Sequence, residues 1–374
     1  MPIAGSNINL DSTEGMDKIS QTEKVTTPYF SNGNTELLAT NITSSTHIAG
    51  TTNDQYFFGI SHTSTPTVEE FNVAFGSTRG YGSLVQTNTK SETAAIYGQY
   101  ASLLLGPTEV TGGFIISRNT SLSSVPASAK VSSGKDQEIF ILSAKRSNMK
   151  DRLNKGSWTI KLSGSKAPGT TGEPILHLCD DSVGSNPTPT PVGDRYNIVS
   201  GSGGTVSGSG AADRTFGWFY PDMGIMVFSA AELSSSIPGK GADTGDTVIF
   251  DDNTHKGFGF PTTTNANRKT ALRFINCLQP AGASLTFRDE EDQVSAQYFC
   301  RVRSGQMNFS NNPTFVSGSL NELRHTKMKG NPQTFITSVQ LYNQNGDIVA
   351  VGNLSTPLKK NFSSEATIKV KLTY

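Results

Sequence analysis

Apolar positions along this chain come in short runs separated by glycine, proline, serine, threonine and asparagine, a rhythm that predicts strands joined by polar turns. QYFFGI, EEFNVAFGS, GGFIIS and QEIFILSAK are each rich in β-branched and aromatic residues, and each is predicted as a strand. MKDRLNKGSWTIKLSG supplies a turn and then the alternating positions Trp158, Ile160 and Leu162. Two stretches follow the helical period instead. In SETAAIYGQYASLLLG, Ser91 stands at the N-cap position, Ala94, Ile96, Tyr97, Tyr100, Leu103 and Leu104 form the stripe, and Gly106–Pro107 ends it. In ANRKTALRFINCLQ, the stripe is Ala271, Leu272, Ile275 and Leu278.

The most apolar segment, TFGWFYPDMGIMVFSAAEL, predicts a turn at Phe219–Asp222, a fully buried strand from Ile225 to Phe228, and a short helix starting at Ala230. Towards the C-terminus, TFITSVQLYNQNGDIVAVGNLS has two alternating runs around Asn345–Gly346, a hairpin signature. Phe335, Val339 and Leu341 are expected on one side of it. ATIKVKLTY alternates Ile368, Val370 and Leu372 against Lys369, Lys371 and Thr373, as in a half-buried antiparallel sheet with one wet face.

The expected fold is therefore mainly β (α+β): antiparallel sheets with a few short helices, long surface loops and an extended N-terminal arm. Residues 1–50 are polar with little periodicity and read as that arm, which would need a neighbour to order it. Residues 51–374 read as a β-rich body. Loop insertions are expected at 163–213, where SGSKAPGTTGEP, GSNPTPTPVGD and SGSGGTVSGSG interrupt the pattern, and a C-terminal antiparallel sheet at 295–374.

Composition narrows the function. Lys plus Arg and Asp plus Glu are 31 each, so no chain-wide basic field steers the protein onto nucleic acid or an anionic membrane. Charged residues make up 17%, below the roughly 25% usual for soluble domains. No apolar run is long enough to span a bilayer, and the first residues lack the basic-then-apolar pattern of a secretory signal. Cys179, Cys277 and Cys300 are widely spaced and without CxxC partners, which favours buried free thiols over a disulfide framework or a zinc site.

Candidate chemistry is thin. The glycine runs at 200–210 and 239–245 lack both the GxGxxG spacing and the strand–loop–helix context of a phosphate loop. Among the histidines His47, His62, His177, His255 and His325 there is no HxH or HExxH. His177 with Cys179, Asp180 and Asp181 is the one compact cluster of ligand types, and Asp180–Asp181–Ser182 reads better as the start of a turn. DDNTH at 251–255 lacks the calcium-loop pattern. RDEEDQ at 288–293 reads as a solvated acidic loop, and no GxSxG elbow is present. No catalytic residue, metal site or cofactor is expected.

The densest stretch is YFCRVRSGQMNFSNNPTF, residues 298–315. Cations beside aromatics suit single-stranded nucleic acid. Strand alternation, however, puts Arg301 and Arg303 on one face and Cys300 and Val302 on the other, the ordinary pattern of a wet and a dry side. Met307, Phe309 and Phe315 are expected to fold back onto the sheet around the Asn311–Asn312–Pro313 turn, with Phe309 buried.

This stretch, together with NPQTFITSVQLYNQNGDIVAVGNLSTPLKKNFSSEATIKVKLTY, resembles virion structural proteins of contractile-tailed bacteriophages, in particular the T4-like cyanophage group. AIYGQYASLLL, KRSNMKDRLNKGSWTIKLSG and FGWFYPDMGIMVFSA are similar in the same order upstream, so the resemblance spans roughly residues 55–374. It implies a non-enzymatic tail or baseplate subunit, assembled in the host cytoplasm and present in several copies per particle. Its implied partners are other virion proteins, with no nucleic acid and no membrane. A neck or sheath-associated position is the alternative within that group. A receptor- or glycan-binding module would need exposed aromatic platforms, whereas Trp158 and Trp218 both lie in runs that read as buried.

Overall fold

The computed structural model describes residues 18–37, 40–44, 57–62, 65–80, 91–107, 113–116, 135–163, 175–207, 215–236, 270–278, 283–318, 320 and 322–374. The expected class holds: the described residues are mainly antiparallel β with few helices. The chain forms two compact units, Val25–Glu291 and a second made of Met1–Lys24 with Asp292–Tyr374.

The larger unit is built on one long sheet, with strands numbered in chain order. It runs β2 (Glu36–Leu37), β15 (Ser284–Thr286), β8 (Thr159–Ser163), β9 (Ile175–Asp180), β11 (Gly193–Ser202), β13 (Gly217–Tyr220), β14 (Ile225–Ser229), β6 (Glu138–Ala144), β5 (Thr65–Ser77), β4 (Phe57–His62) and β3 (Thr40–Ser44). Neighbours in this order pair antiparallel, as in β6–β14, where Val227 faces Ile141 and Phe228 faces Phe140.

Alternation in the central strands feeds two separate cores. Phe71, Val73 and Phe75 of β5, Phe140 and Leu142 of β6, and Met226 and Phe228 of β14 point to one side. Ala74, Ile139, Ile141, Ile225 and Val227 point to the other. Each side has its own cover. Helix α1 (Glu92–Leu104) lays Tyr97, Ala101 and Leu104 on the second face. Helix α3 (Thr270–Leu278) lays Ala271, Phe274, Ile275, Cys277 and Leu278 on the first. This is why IMVFS and EIFIL carry no polar alternation: a strand dry on both sides has no wet positions to fill. Helix α2 (Ala230–Ser236) starts at Ala230, as the sequence predicts.

Several expectations are corrected. The α1 stripe is Thr93, Tyr97, Ala101 and Leu104, while Leu103 is exposed. Ser91 occupies the N-cap in an extended conformation, but its hydroxyl makes no capping bond. Residues 113–116 of GGFIIS join no strand ladder, and Gly113 has φ +68°. Side chains hold them instead: Phe114 N donates to Tyr97 Oη (3.0 Å) and Ile116 N to the Asp136 carboxylate (2.6 Å). Residues 175–207, expected as loop insertion, contain β9 and β11 in the sheet, with β10 (Thr188–Thr190) and β12 (Thr205–Val206) folded back on β11. The proline and glycine punctuation there marks tight turns between short strands. The polar N-terminal stretch contributes Tyr29, Phe30 and Leu37 to the first core.

A second sheet has the order β1 (Lys18–Pro28), β16 (Arg288–Val302), β21 (Ala366–Thr373), with β7 (Arg152–Leu153) paired to the start of β16. The predicted alternation in β21 is present: Ile368, Val370 and Leu372 are half-buried, and Thr367, Lys369, Lys371 and Thr373 are exposed. The predicted hairpin also forms, as β19 (Thr334–Tyr342) and β20 (Ile348–Lys360), with Gly346 at φ +86° in the turn. A positive φ at that position is what makes Asn–Gly favourable there. Leu341 is buried and Val339 half-buried, but Phe335 is exposed, so the expected apolar side is incomplete.

Candidate functional site

RDEEDQ is not a solvated loop. Asp289 and Glu290 lie at the start of β16 and are 2% and 4% exposed. They organise the loop at 145–157 of the larger unit, together with Glu70 of β5. Asp289 accepts the Lys150 N–H (2.6 Å) and the Glu290 N–H (3.2 Å). Glu290 accepts Arg152 Nε (2.8 Å) on one oxygen and Asn154 Nδ2 (2.6 Å) on the other. Glu70 accepts the Ser31 N–H (2.9 Å) and the Ser31 hydroxyl on one oxygen, and Asn148 Nδ2 (2.9 Å) on the other. The Tyr29 hydroxyl donates to the Glu70 carbonyl (2.7 Å) and accepts the Lys145 N–H (3.1 Å).

The chemistry of this cluster follows from its pairing. Burial pushes the Asp289 carboxyl above the ordinary carboxylate range, an effect partly opposed by its backbone donors and by Lys150 and Arg146. Burial likewise raises Tyr29, with the Glu70 charge adding to it. Both oxygens of each of the three carboxylates are occupied by donors of the chain itself. Such a network fixes a loop; a general base needs a lone pair facing substrate.

The cluster of ligand types at 177–181 is resolved in the same way. Asp180 is buried, and both its oxygens accept the Gly156 N–H (3.0 and 2.8 Å). Asp181 accepts the Asn197 N–H (2.9 Å) and Asn197 Nδ2 (2.9 Å). Gly184 and Ser185 N–H groups return to the Asp181 carbonyl, so the stretch opens a turn as expected. Burial lifts the Asp180 carboxyl, and it lifts the Cys179 thiol to about 11, which keeps the sulfur protonated at neutral pH. Among the described residues no three His, Cys, Asp or Glu side chains are grouped as metal ligands. Nor is any helix among them long and apolar enough to cross a membrane. His47, His255, the stretch at 251–255 and the glycine run at 239–245 lie outside the described residues.

Both tryptophans are buried, as their runs imply. Trp158 stacks on Phe287 (5.6 Å between centroids, 17°) and meets Phe219 edge-on at 5.3 Å. The Arg195 guanidinium lies 4.0 Å over the Trp218 ring. Neither ring offers a flat platform to an incoming sugar.

No family model, curated protein or solved structure matches this chain.

Among the described residues, the smaller unit leaves more large apolar side chains in solvent than the larger one, where Leu103, Ile115, Ile175 and Val183 are exposed. In YFCRVRSGQMNFSNNPTF, Val302 is buried and Arg301 and Arg303 are exposed, the wet-and-dry pattern expected. Phe309 is corrected: it is 47% exposed and makes an edge-on pair with Phe315 at 5.5 Å. Met307 is also exposed, and its φ of +51° turns the chain away from the strand. Lys360 and Asn308 are buried nearby, and the Lys360 ammonium donates to Asn308 Oδ1 (3.0 Å) and the Asn361 carbonyl (2.8 Å).

The β19–β20 hairpin is the largest such surface. It forms a two-stranded sheet of its own, in which Tyr342 faces Ile348 and Gln340 faces Val351. Tyr342, Ile348, Val349 and Val351 are all more than half exposed, at 52%, 57%, 59% and 57%. Sequence reading found the hairpin and missed its openness. The signal was available: Ile348–Val351 is a consecutive apolar run, where a strand with one wet face would alternate.

Proposed function

We propose that this chain is a non-enzymatic structural subunit of a contractile-tailed phage virion, placed in the baseplate. The observation that carries the subunit reading is the β19–β20 hairpin. A two-stranded hairpin is marginal on its own in water, and this one exposes a cluster of large apolar side chains. Covering that cluster with another protein removes apolar area from water and supplies the missing layer. The closed carboxylate network supports the same reading, since Glu70, Asp289 and Glu290 are occupied in holding a loop. The placement in a phage particle rests on the resemblance of residues 55–374 to virion proteins of that group.

The mechanism is structural: interfaces are made, and on a switch repacked, without any bond being formed or broken. Two measurements test it. Immunogold negative-stain microscopy of virions is expected to show label at the distal end of the tail. Label confined to the head, the neck or the sheath overturns the baseplate placement. For the interface, Ile348→Thr with Val351→Thr is expected to leave the thermal melt of the free chain nearly unchanged while preventing its incorporation into particles. Normal incorporation of that variant removes the hairpin as an assembly surface.

A further inference from the structure

Cross-strand pairing assembles a basic face that no single segment of the sequence displays. In the β16–β21 ladder, Lys369 stands opposite Phe299, Lys371 opposite Gln297 and Thr367 opposite Arg301. Residues directly opposite one another in an antiparallel pair share a face. Arg301, Lys369 and Lys371 therefore converge around the half-buried Phe299, and all three cations are exposed. The Lys369 ammonium lies 5.8 Å from the centroid of the Phe299 ring. The unit has the same net sign, with a small excess: residues 1–24 and 292–374 together hold eleven Lys and Arg against eight Asp and Glu.

This face borders an open edge. β21 ends its sheet, and among the described residues β16 is the strand that pairs with it. Among the described residues no strand pairs with the other edge of β21. Lysines on such an edge oppose pairing with a neutral or basic strand. The same lysines favour an acidic one, because opposite charges facing each other across a ladder stabilise it.

We propose that the free edge of β21 receives an extended acidic segment of a neighbouring protein as an added strand, with carboxylates at alternate positions meeting Lys369 and Lys371. The proposal rests on the reading of the chain as a subunit, though not on which particle contains it. A second copy of β21 is a poor occupant, since it would bring lysines towards lysines. Single-stranded nucleic acid is also a poorer fit: it prefers several stacking rings along a continuous basic groove, and here one ring sits among three cations. In strand addition, the backbone supplies affinity and the alternate side chains supply selectivity, which matches what this edge offers.

The test is fluorescence anisotropy with the full chain at low salt, using labelled nine-residue peptides and an oligothymidylate of similar length. A peptide alternating Glu and Thr is expected to bind saturably, and to weaken as salt is raised. Lys369→Gln with Lys371→Gln is expected to weaken it about tenfold with the thermal melt preserved. Methylating alternate backbone nitrogens of the Glu–Thr peptide is expected to abolish binding by the unaltered protein. The proposal is overturned by an absence of saturable binding, by equal binding of a Lys–Thr peptide, or by full binding of the methylated peptide. Tighter binding of the oligothymidylate overturns it in favour of nucleic acid. Failure of the peptides alongside hairpin-dependent incorporation into particles would remove this edge while leaving the subunit reading standing.

Discussion

Strands β14 and β21 are both short and antiparallel, yet they live in opposite environments. All five residues of β14 are buried between two separate cores, whereas β21 half-buries one row and wets the other. The difference follows from what covers them. β14 has helices or aromatic clusters on either side, while every second residue of β21 is left to water. The same contrast sets apart the two groups of exposed and buried aromatics. Phe228 is fully buried in the larger unit, and Phe309 of the smaller one keeps nearly half its surface in solvent. A fold that seals one region and leaves another open has divided stability from contact.

Truncations should expose that division most sharply. Phe228→Ala is expected to lower unfolding free energy by about 3–5 kcal/mol, since it removes a ring packed on Phe274 and leaves a cavity. Phe309→Ala should lower it by about 1 kcal/mol, the size of one edge-on aromatic pair. Urea denaturation of the two variants side by side decides the matter. Equal losses would erase the distinction between a sealed region and an open one.

A smaller effect is expected from the carboxylate network. Arg152→Ala strips the charged partner from nearly buried Glu290 and is expected to lower stability by about 2 kcal/mol. Lys145→Ala breaks the more exposed pair with Glu69 and should change it by less than about 1 kcal/mol. If both cost the same in urea titrations, the buried network holds the loop no more tightly than a surface ion pair does.

The smallest effect concerns pH. Asp180 and Asp289 have folded pKa values raised above the ordinary 3.8, so the folded chain keeps protons that the unfolded chain releases. Their contribution to stability is present below 3.8 and is lost as pH rises through the raised folded values. Asp180→Asn keeps an acceptor for the Gly156 N–H and removes one of these titrations. Between about pH 4 and pH 7 its stability should fall less steeply than that of the unaltered chain. Parallel slopes in urea titrations across that range would show that Asp180 ionises as freely folded as unfolded.

Much of this architecture was legible in the chain. Period-two alternation marked β21, the Asn345–Gly346 turn marked the hairpin, and the continuous run Ile225–Phe228 marked a strand dry on both sides. These signals are local, and local physics generates them. What escaped was set by distant residues. Asp289 and Glu290 look like a solvated run until Lys150, Arg152 and Asn154 arrive from elsewhere in the chain to satisfy them. Phe309 looks like core because aromatic side chains usually are, and nothing nearby in sequence says that its cover is missing. The convergence of Lys369 and Lys371 on Phe299 and Arg301 depends on a register that neither segment encodes alone. The strands β9 and β11 were hidden by prolines and glycines that punctuate turns as readily as they fill loops.

The pairing of β6 with β14 also has a kinetic consequence. The two strands are far apart in the chain, so their ladder must await closure of a long loop before any of its contacts can form. The β19–β20 hairpin closes through a tight turn, an event on the order of microseconds for isolated hairpins. On dilution from denaturant, the full-length chain therefore forms this hairpin on a faster clock than its central sheet. Association of refolding chains through the exposed Ile348 and Val351 is then expected to rise with protein concentration and to fall on dilution.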